Sequence, residues 1–140
     1  MSKINFGRVL FGGFVAGLIL NIGEFILNGL ILGPHIEADM KRMGITPPGN
    51  GFAVLAVALT FVFGLLAILL YAMIRPGLGP GPKTAFLIAL ILWFCLYAYS
   101  GTINMLLINI PPKLILMILG WGLIEYPLGI LGGAALYKES

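Results

Sequence analysis

Residues Val9–Leu32 read VLFGGFVAGLILNIGEFILNGLIL, and this stretch decides what kind of fold the chain adopts. Counted from Arg8, it is long enough to cross a hydrocarbon core of roughly 30 Å at about 1.5 Å per helical residue. At roughly 100° per residue, Gly13, Gly17, Asn21, Glu24 and Asn28 fall within an arc of about 80°. One face of the helix is therefore small and polar, and the rest is Leu, Ile, Val and Phe. A carboxyl in mid-span costs about 2.5–3.5 kcal/mol to insert, so Glu24 should face protein or water and not lipid. That face needs partners from elsewhere in the chain.

Composition agrees. Of 140 residues, 60% are hydrophobic and 9% charged, far below the roughly 25% charged residues of soluble domains. Four apolar runs, about 8–32, 52–74, 84–108 and 113–136, use nearly all of the length and leave no room for a separate soluble domain. The expected fold is a single all-α domain over 1–140, a polytopic four-helix transmembrane bundle. The net charge is +3, but the eight basic residues are scattered at helix ends and read as topology signals, so no nucleic-acid partner is expected. Lys3, Arg8, Arg75, Lys83 and Lys138 would lie on one side, with Lys41, Arg42 and Lys113 on the other. This asymmetry predicts both termini in the cytoplasm. The first run continues to Leu32, carries Glu24 and lacks a small-x-small cleavage site, so it is expected to be a retained helix and not a signal peptide. Cys95 is the sole cysteine; it excludes an intrachain disulfide or cysteine metal cluster and reads as a small packing residue.

After the first span, Ile36, Met40 and Met43 recur at i, i+4 and i+7 behind Pro34. They predict a short amphipathic surface helix ended by Gly44 and then Pro47-Pro48. RPGLGPGPK and NIPP are the two remaining turns.

Candidate chemistry is concentrated at one depth. Glu24 and Asn28 lie past the midpoint of the first span, and Thr60 lies at a similar level in the second. Tyr97, Ser100 and Asn104 share a face at i, i+3 and i+7 in the third, and Glu125 lies near the middle of the fourth. These residues predict a polar pocket between the helices, opening outward. No Lys, Arg or His in the interior of the spans offsets Glu24 or Glu125, so each must be protonated, hydrated or bound to a cation. Pro127, two residues beyond Glu125, removes a helical hydrogen bond to Leu123. The plainer account makes Asn21, Glu24 and Asn28 interhelical glue, with Gly13, Gly17, Gly129 and Gly133 as close-packing positions. Trp93, Trp121 and the tyrosines read as packing residues or interfacial anchors. His35 and Asp39 stand at i, i+4 with Glu37 nearby, a spacing compatible with a metal. In a charged loop these three read as solvated groups, and no metal or cofactor is expected. No nucleophile–base arrangement or phosphate loop occurs, so no enzymatic activity is expected.

The glycine-rich first helix, the MKRMG loop and the hairpin PPKLILMILGWGLIEYPLGILGGAAL resemble the uncharacterised bacterial four-helix membrane proteins grouped as domains of unknown function. The architecture is also similar to DoxX-like small membrane proteins, although the acidic residue expected early in their second helix is absent from FAVLAVALTFVFG. The resemblance implies the fold and a bacterial inner-membrane location, and carries no residue-level function. Two functions are then expected. The first is a non-enzymatic accessory or assembly subunit of a larger membrane complex, or a homo-oligomer, associating through its glycine faces. The second is a proton-coupled small-molecule transporter or binding protein using Glu24 and Glu125.

Overall fold

The computed structural model describes residues 3–139, which form helices and their connecting turns without a strand. Four helices are long and apolar enough to cross a membrane: α1 (Phe6–Ile31), α3 (Asn50–Leu78), α4 (Pro82–Leu107) and α5 (Pro112–Ala135). The short α2 (Gly33–Met43) follows α1. Asn5 caps α1 by accepting from the Arg8 N–H at 3.1 Å. Gly44, at φ 70°, ends α2 in the left-handed conformation that favours glycine, with the Ile45 N–H closing on the Met40 carbonyl at 2.9 Å. Pro82 and Pro112 stand in the first turns of α4 and α5, where their missing N–H costs nothing.

The helix limits depart from the sequence expectation mainly at the end of α3, which runs four residues past Ile74, through Pro76 to Leu78. Proline there removes one bond of the last turns, and the Gly79 N–H closes the helix on the Arg75 carbonyl at 2.8 Å. A second departure is internal. Over Phe25–Ile31 in α1 and Phe94–Gly101 in α4, the ladder widens from i→i+4 to i→i+5 hydrogen bonding. Such π-helical segments are uncommon and cluster at functional sites.

α1 packs against α3 and α5, α5 also packs against α4, and α3 makes smaller contacts with α4 and α5. Between apolar helices in lipid there is little hydrophobic drive, so close packing and polar contacts must hold them together. Glycines make this possible. A methyl added to Gly64 of α3 would stand 2.6 Å from the Gly17 nitrogen and 2.8 Å from the Gly13 carbonyl oxygen. Gly12 and Gly133 abut in the same way: a Cβ on either would stand 2.5 Å from the other's carbonyl oxygen. Gly129 leaves room for Leu20. The glycine faces of α1 and α5 are thus consumed within the chain.

The two ends of the bundle differ. At the end carrying the termini, Leu20, Ile68, Ile88 and Ile130 form a buried core. Below them Tyr71 and Tyr137 meet edge-on at 6.0 Å. Their hydroxyls accept from the backbone N–H of Gly81 at 3.0 Å and of Asn5 at 3.3 Å. Arg75 lies over the Tyr137 ring. At the end carrying α2, the first turns of α3 and α5 and the last turns of α4 bury almost nothing. The bundle is closed at one end and splayed at the other. Its outer surface is apolar, with Phe11, Phe14, Leu18, Val54 and Leu66 all exposed. Water would not tolerate so extensive a surface without aggregation; hydrocarbon would.

Candidate functional site

Between the splayed halves lie two adjoining cavities, of about 520 and 850 Å³. The smaller is walled by α1, α2, α4 and α5, the larger by α1, α2, α3 and α5. Glu24, Asn28, Ile36 and Tyr126 line both. Each of the four long helices therefore contributes polar residues to these walls, where the tight half of the bundle gives way to the open half.

Glu24 sits at the point where α1 begins to widen. The Tyr97 hydroxyl of α4 donates to its Oε1 at 2.5 Å, and the Asn28 amide donates to its Oε2 at 2.6 Å. Asn28 also reaches the Glu24 carbonyl at 3.2 Å, so it is held by its own helix. Tyr97 stands in the widened segment of α4, opposite that of α1. Its ring fits against Gly122, where a methyl would lie 2.6 Å from the ring, and it meets Tyr126 edge-on at 5.2 Å.

Glu125 is only 5% exposed, and neither of its carboxyl oxygens has a hydrogen-bond partner. Its polar neighbours are Glu24, Tyr97 and Trp121. The Trp121 indole N–H is also buried without a partner. Leaving a polar group buried and unsatisfied costs about 1–3 kcal/mol, more if it is charged. A donor and two acceptor oxygens are thus left open beside one another. Gly23 of α1 makes the room: a Cβ there would stand 2.7 Å from Cγ and Cδ of Glu125.

The remaining residues expected at the site divide. Thr60 lines the larger cavity, with its hydroxyl turned back to the Ala56 carbonyl of its own helix at 2.8 Å. Asn21 also lines it and donates to the Val57 carbonyl of α3 at 3.4 Å, a long interhelical contact. Asn104 lines the smaller cavity and donates to the Ser100 carbonyl at 2.8 Å. Ser100 is a correction. It is exposed and lines neither cavity, because the i→i+5 ladder turns each residue by less than the α-helical 100° or so and carries Ser100 away from Tyr97. Gly101 takes its place on the wall.

The single polar stripe expected along α1 also splits. Gly13 and Gly17 pack on Leu65 and Phe61 of α3, whereas Glu24 bonds to α4. His35 and Asp39 line the mouth of the smaller cavity, and Asp39 is engaged by Arg42 at 3.2 Å. Arg42 also reaches the Ile108 carbonyl at 3.4 Å, which ties α2 to the end of α4. Among the described residues no group of three His, Cys, Asp or Glu side chains is placed to hold a metal ion.

In the sequence Tyr126 and Trp121 read as packing residues or interfacial anchors, and Gly23 and Gly122 do not stand out. The signal that points to them is local: Gly122 precedes Glu125 by one helical turn, and Gly23 directly precedes Glu24. A small residue beside a buried carboxyl leaves space for another large side chain.

No protein-family model, curated protein or solved structure matches this chain.

Proposed function

We propose that this chain is a four-span protein of the bacterial inner membrane, with both termini cytoplasmic, that works as a proton-coupled small-molecule transporter or binding protein through Glu24 and Glu125. The observation that carries this reading is the Glu125 carboxyl, buried and unpartnered at the wall of a large cavity beside a second carboxyl. Intramembrane carboxyls without a counter-charge are costly, and their usual role is to bind or pass protons, ions or ligands. A bundle closed at one end and open at the other supports the same reading, since it is the form of one access state of a site near mid-bundle. The glycine faces that suit an accessory or assembly subunit, or self-association, are engaged inside the chain and lend that alternative little. The lipid bilayer is then the main surrounding partner.

The test is transport into proteoliposomes loaded with a pH-sensitive dye and offered a panel of cationic, neutral and anionic solutes. Wild-type protein is expected to couple entry of at least one solute to a change in internal pH, and Glu24→Gln to abolish it. Full coupling in both Glu24→Gln and Glu125→Gln would overturn the proposal.

A further inference from the structure

We propose that the ligand of this site is an organic ammonium ion, a protonated amine with an N–H-bearing head and an apolar body. The inference rests on the reading of Glu24 and Glu125 as a binding site and names the class of molecule that site takes.

The charge of the walls comes first. Among the described residues, four acidic side chains, Glu24, Glu125, Glu37 and Asp39, line the two cavities, and no Lys or Arg does. The basic side chain on these walls is His35, at the mouth. Arg42 is tied to Asp39 and to the Ile108 carbonyl. A low-dielectric cleft lined by one sign of charge concentrates the opposite sign, so an anion is disfavoured and a cation is attracted.

Hydrogen bonding narrows the choice. Each Glu24 oxygen already accepts one bond, from Tyr97 and from Asn28. Both Glu125 oxygens are buried and accept none. Beside them the Trp121 N–H is also open, so the four oxygens of the two carboxyls face three donors, from Tyr97, Asn28 and Trp121, and acceptors are in surplus. An ammonium N–H supplies donor and positive charge together, and such charge-assisted bonds are about twice as strong as neutral ones. A quaternary ammonium brings the charge but no donor. The rings of Tyr97 and Tyr126, set edge-on to one another beside the two carboxyls, add aromatic surface of the kind that attracts cations.

The body of the ligand follows from what lies beyond the carboxyls. Away from Glu24 the smaller cavity is walled by Leu27, Leu96, Met105, Ile118 and similar side chains, and the larger by Phe52, Ala56 and Phe63. A hydrated metal ion would leave these surfaces unused, whereas an aryl or alkyl group fills them. Cavities of about 520 and 850 Å³ fall in the range of small-molecule sites.

The experiment is a charge series on the purified full-length wild-type protein in detergent, read by isothermal titration calorimetry. The probes share one aromatic body: 1-naphthylmethylammonium, its N,N,N-trimethyl analogue, 1-naphthylmethanol and 1-naphthylacetate. The ammonium is expected to bind saturably, one per chain. The trimethyl analogue and the alcohol should each bind roughly tenfold or more weakly, and the carboxylate not at all. A folded Glu125→Gln protein, checked by circular dichroism and gel filtration, should lose a similar factor for the ammonium and little for the alcohol. Equal binding of ammonium and alcohol, tighter binding of the carboxylate, or no saturable binding of the ammonium would overturn the assignment of ligand class. The site itself is judged separately. If ammonium and alcohol bind equally and Glu24→Gln abolishes both, the binding-site reading stands while the ammonium proposal falls.

Discussion

The carboxyl of Glu125 occupies the space that Gly23 leaves by having no side chain. A Cβ on Gly23 would lie 2.7 Å from Glu125 Cγ and Cδ and 3.0 Å from its Oε2. Through this contact α1 and α5 bring two acidic residues to one level, since Glu24 is the next residue along. Gly23→Ala is therefore expected to push Glu125 out of the site. Overpacking of this kind costs about 1–3 kcal/mol. The expected outcome is a lower thermal transition in detergent together with loss of ligand-coupled pH change in proteoliposomes. Unaltered transport would mean that Glu125 does not need its present position.

Tyr97 joins α4 to α1 by a single hydroxyl. Tyr97→Phe keeps the ring against Gly122 and Tyr126 and removes only the donor to Glu24. A hydrogen bond to a charged or polarised partner contributes about 1.5–3 kcal/mol, so binding at the site should weaken by roughly tenfold or more. Because the ring remains, helix content by circular dichroism should not change. Calorimetric titration of the naphthylmethylammonium probe checks the first expectation.

Gly64 faces backbone and not a movable side chain: a methyl there would meet the Gly17 nitrogen at 2.6 Å and the Gly13 carbonyl oxygen at 2.8 Å. Gly64→Ala must therefore separate α1 from α3. Among these substitutions it is expected to lower the thermal transition the most, even though alanine favours helix over glycine by about 1 kcal/mol. A control without this close approach is Gly120→Ala, whose Cβ meets nothing within 4 Å and which should be neutral or slightly stabilising.

Ser100→Ala separates the α-helical reading of α4 from the observed one. On a regular helix Ser100 would share the face of Tyr97; in the widened segment it is exposed and lines neither cavity. Binding and transport by Ser100→Ala should match wild type within error, whereas a tenfold loss would place its hydroxyl on the wall after all.

The four long apolar helices are legible in the sequence because length and apolar composition act over more than twenty residues and survive small errors at the ends. Gly13 and Gly17 are legible as a packing stripe for the same reason: a regular helix repeats its face. Where that regularity fails, so does the reading. The i→i+5 segments depend on how α1 and α4 pack, and no residue type in FILNGLI or FCLYAYSG announces them. The extension of α3 beyond Pro76 is similar, since a proline near a helix end costs one bond that tertiary contacts and the Gly79 closure offset. Glu24 and Glu125 stand out because carboxyls are rare in apolar spans. Gly23 and Gly122 do not, because a notch is recognised only once the side chain that fills it is in place.

The most direct test of a paired intramembrane carboxyl site is modification by a hydrophobic carbodiimide. Such a reagent reaches protonated carboxyls from an apolar phase and would be applied to the protein in native membranes, with the modified residues mapped by mass spectrometry. Glu24 and Glu125 are both expected to be labelled, and naphthylmethylammonium is expected to protect them. If neither carboxyl is labelled, or if labelling is indifferent to the ammonium while the protein remains folded, the two acidic residues do not form an accessible site within the membrane, which contradicts the proposed function.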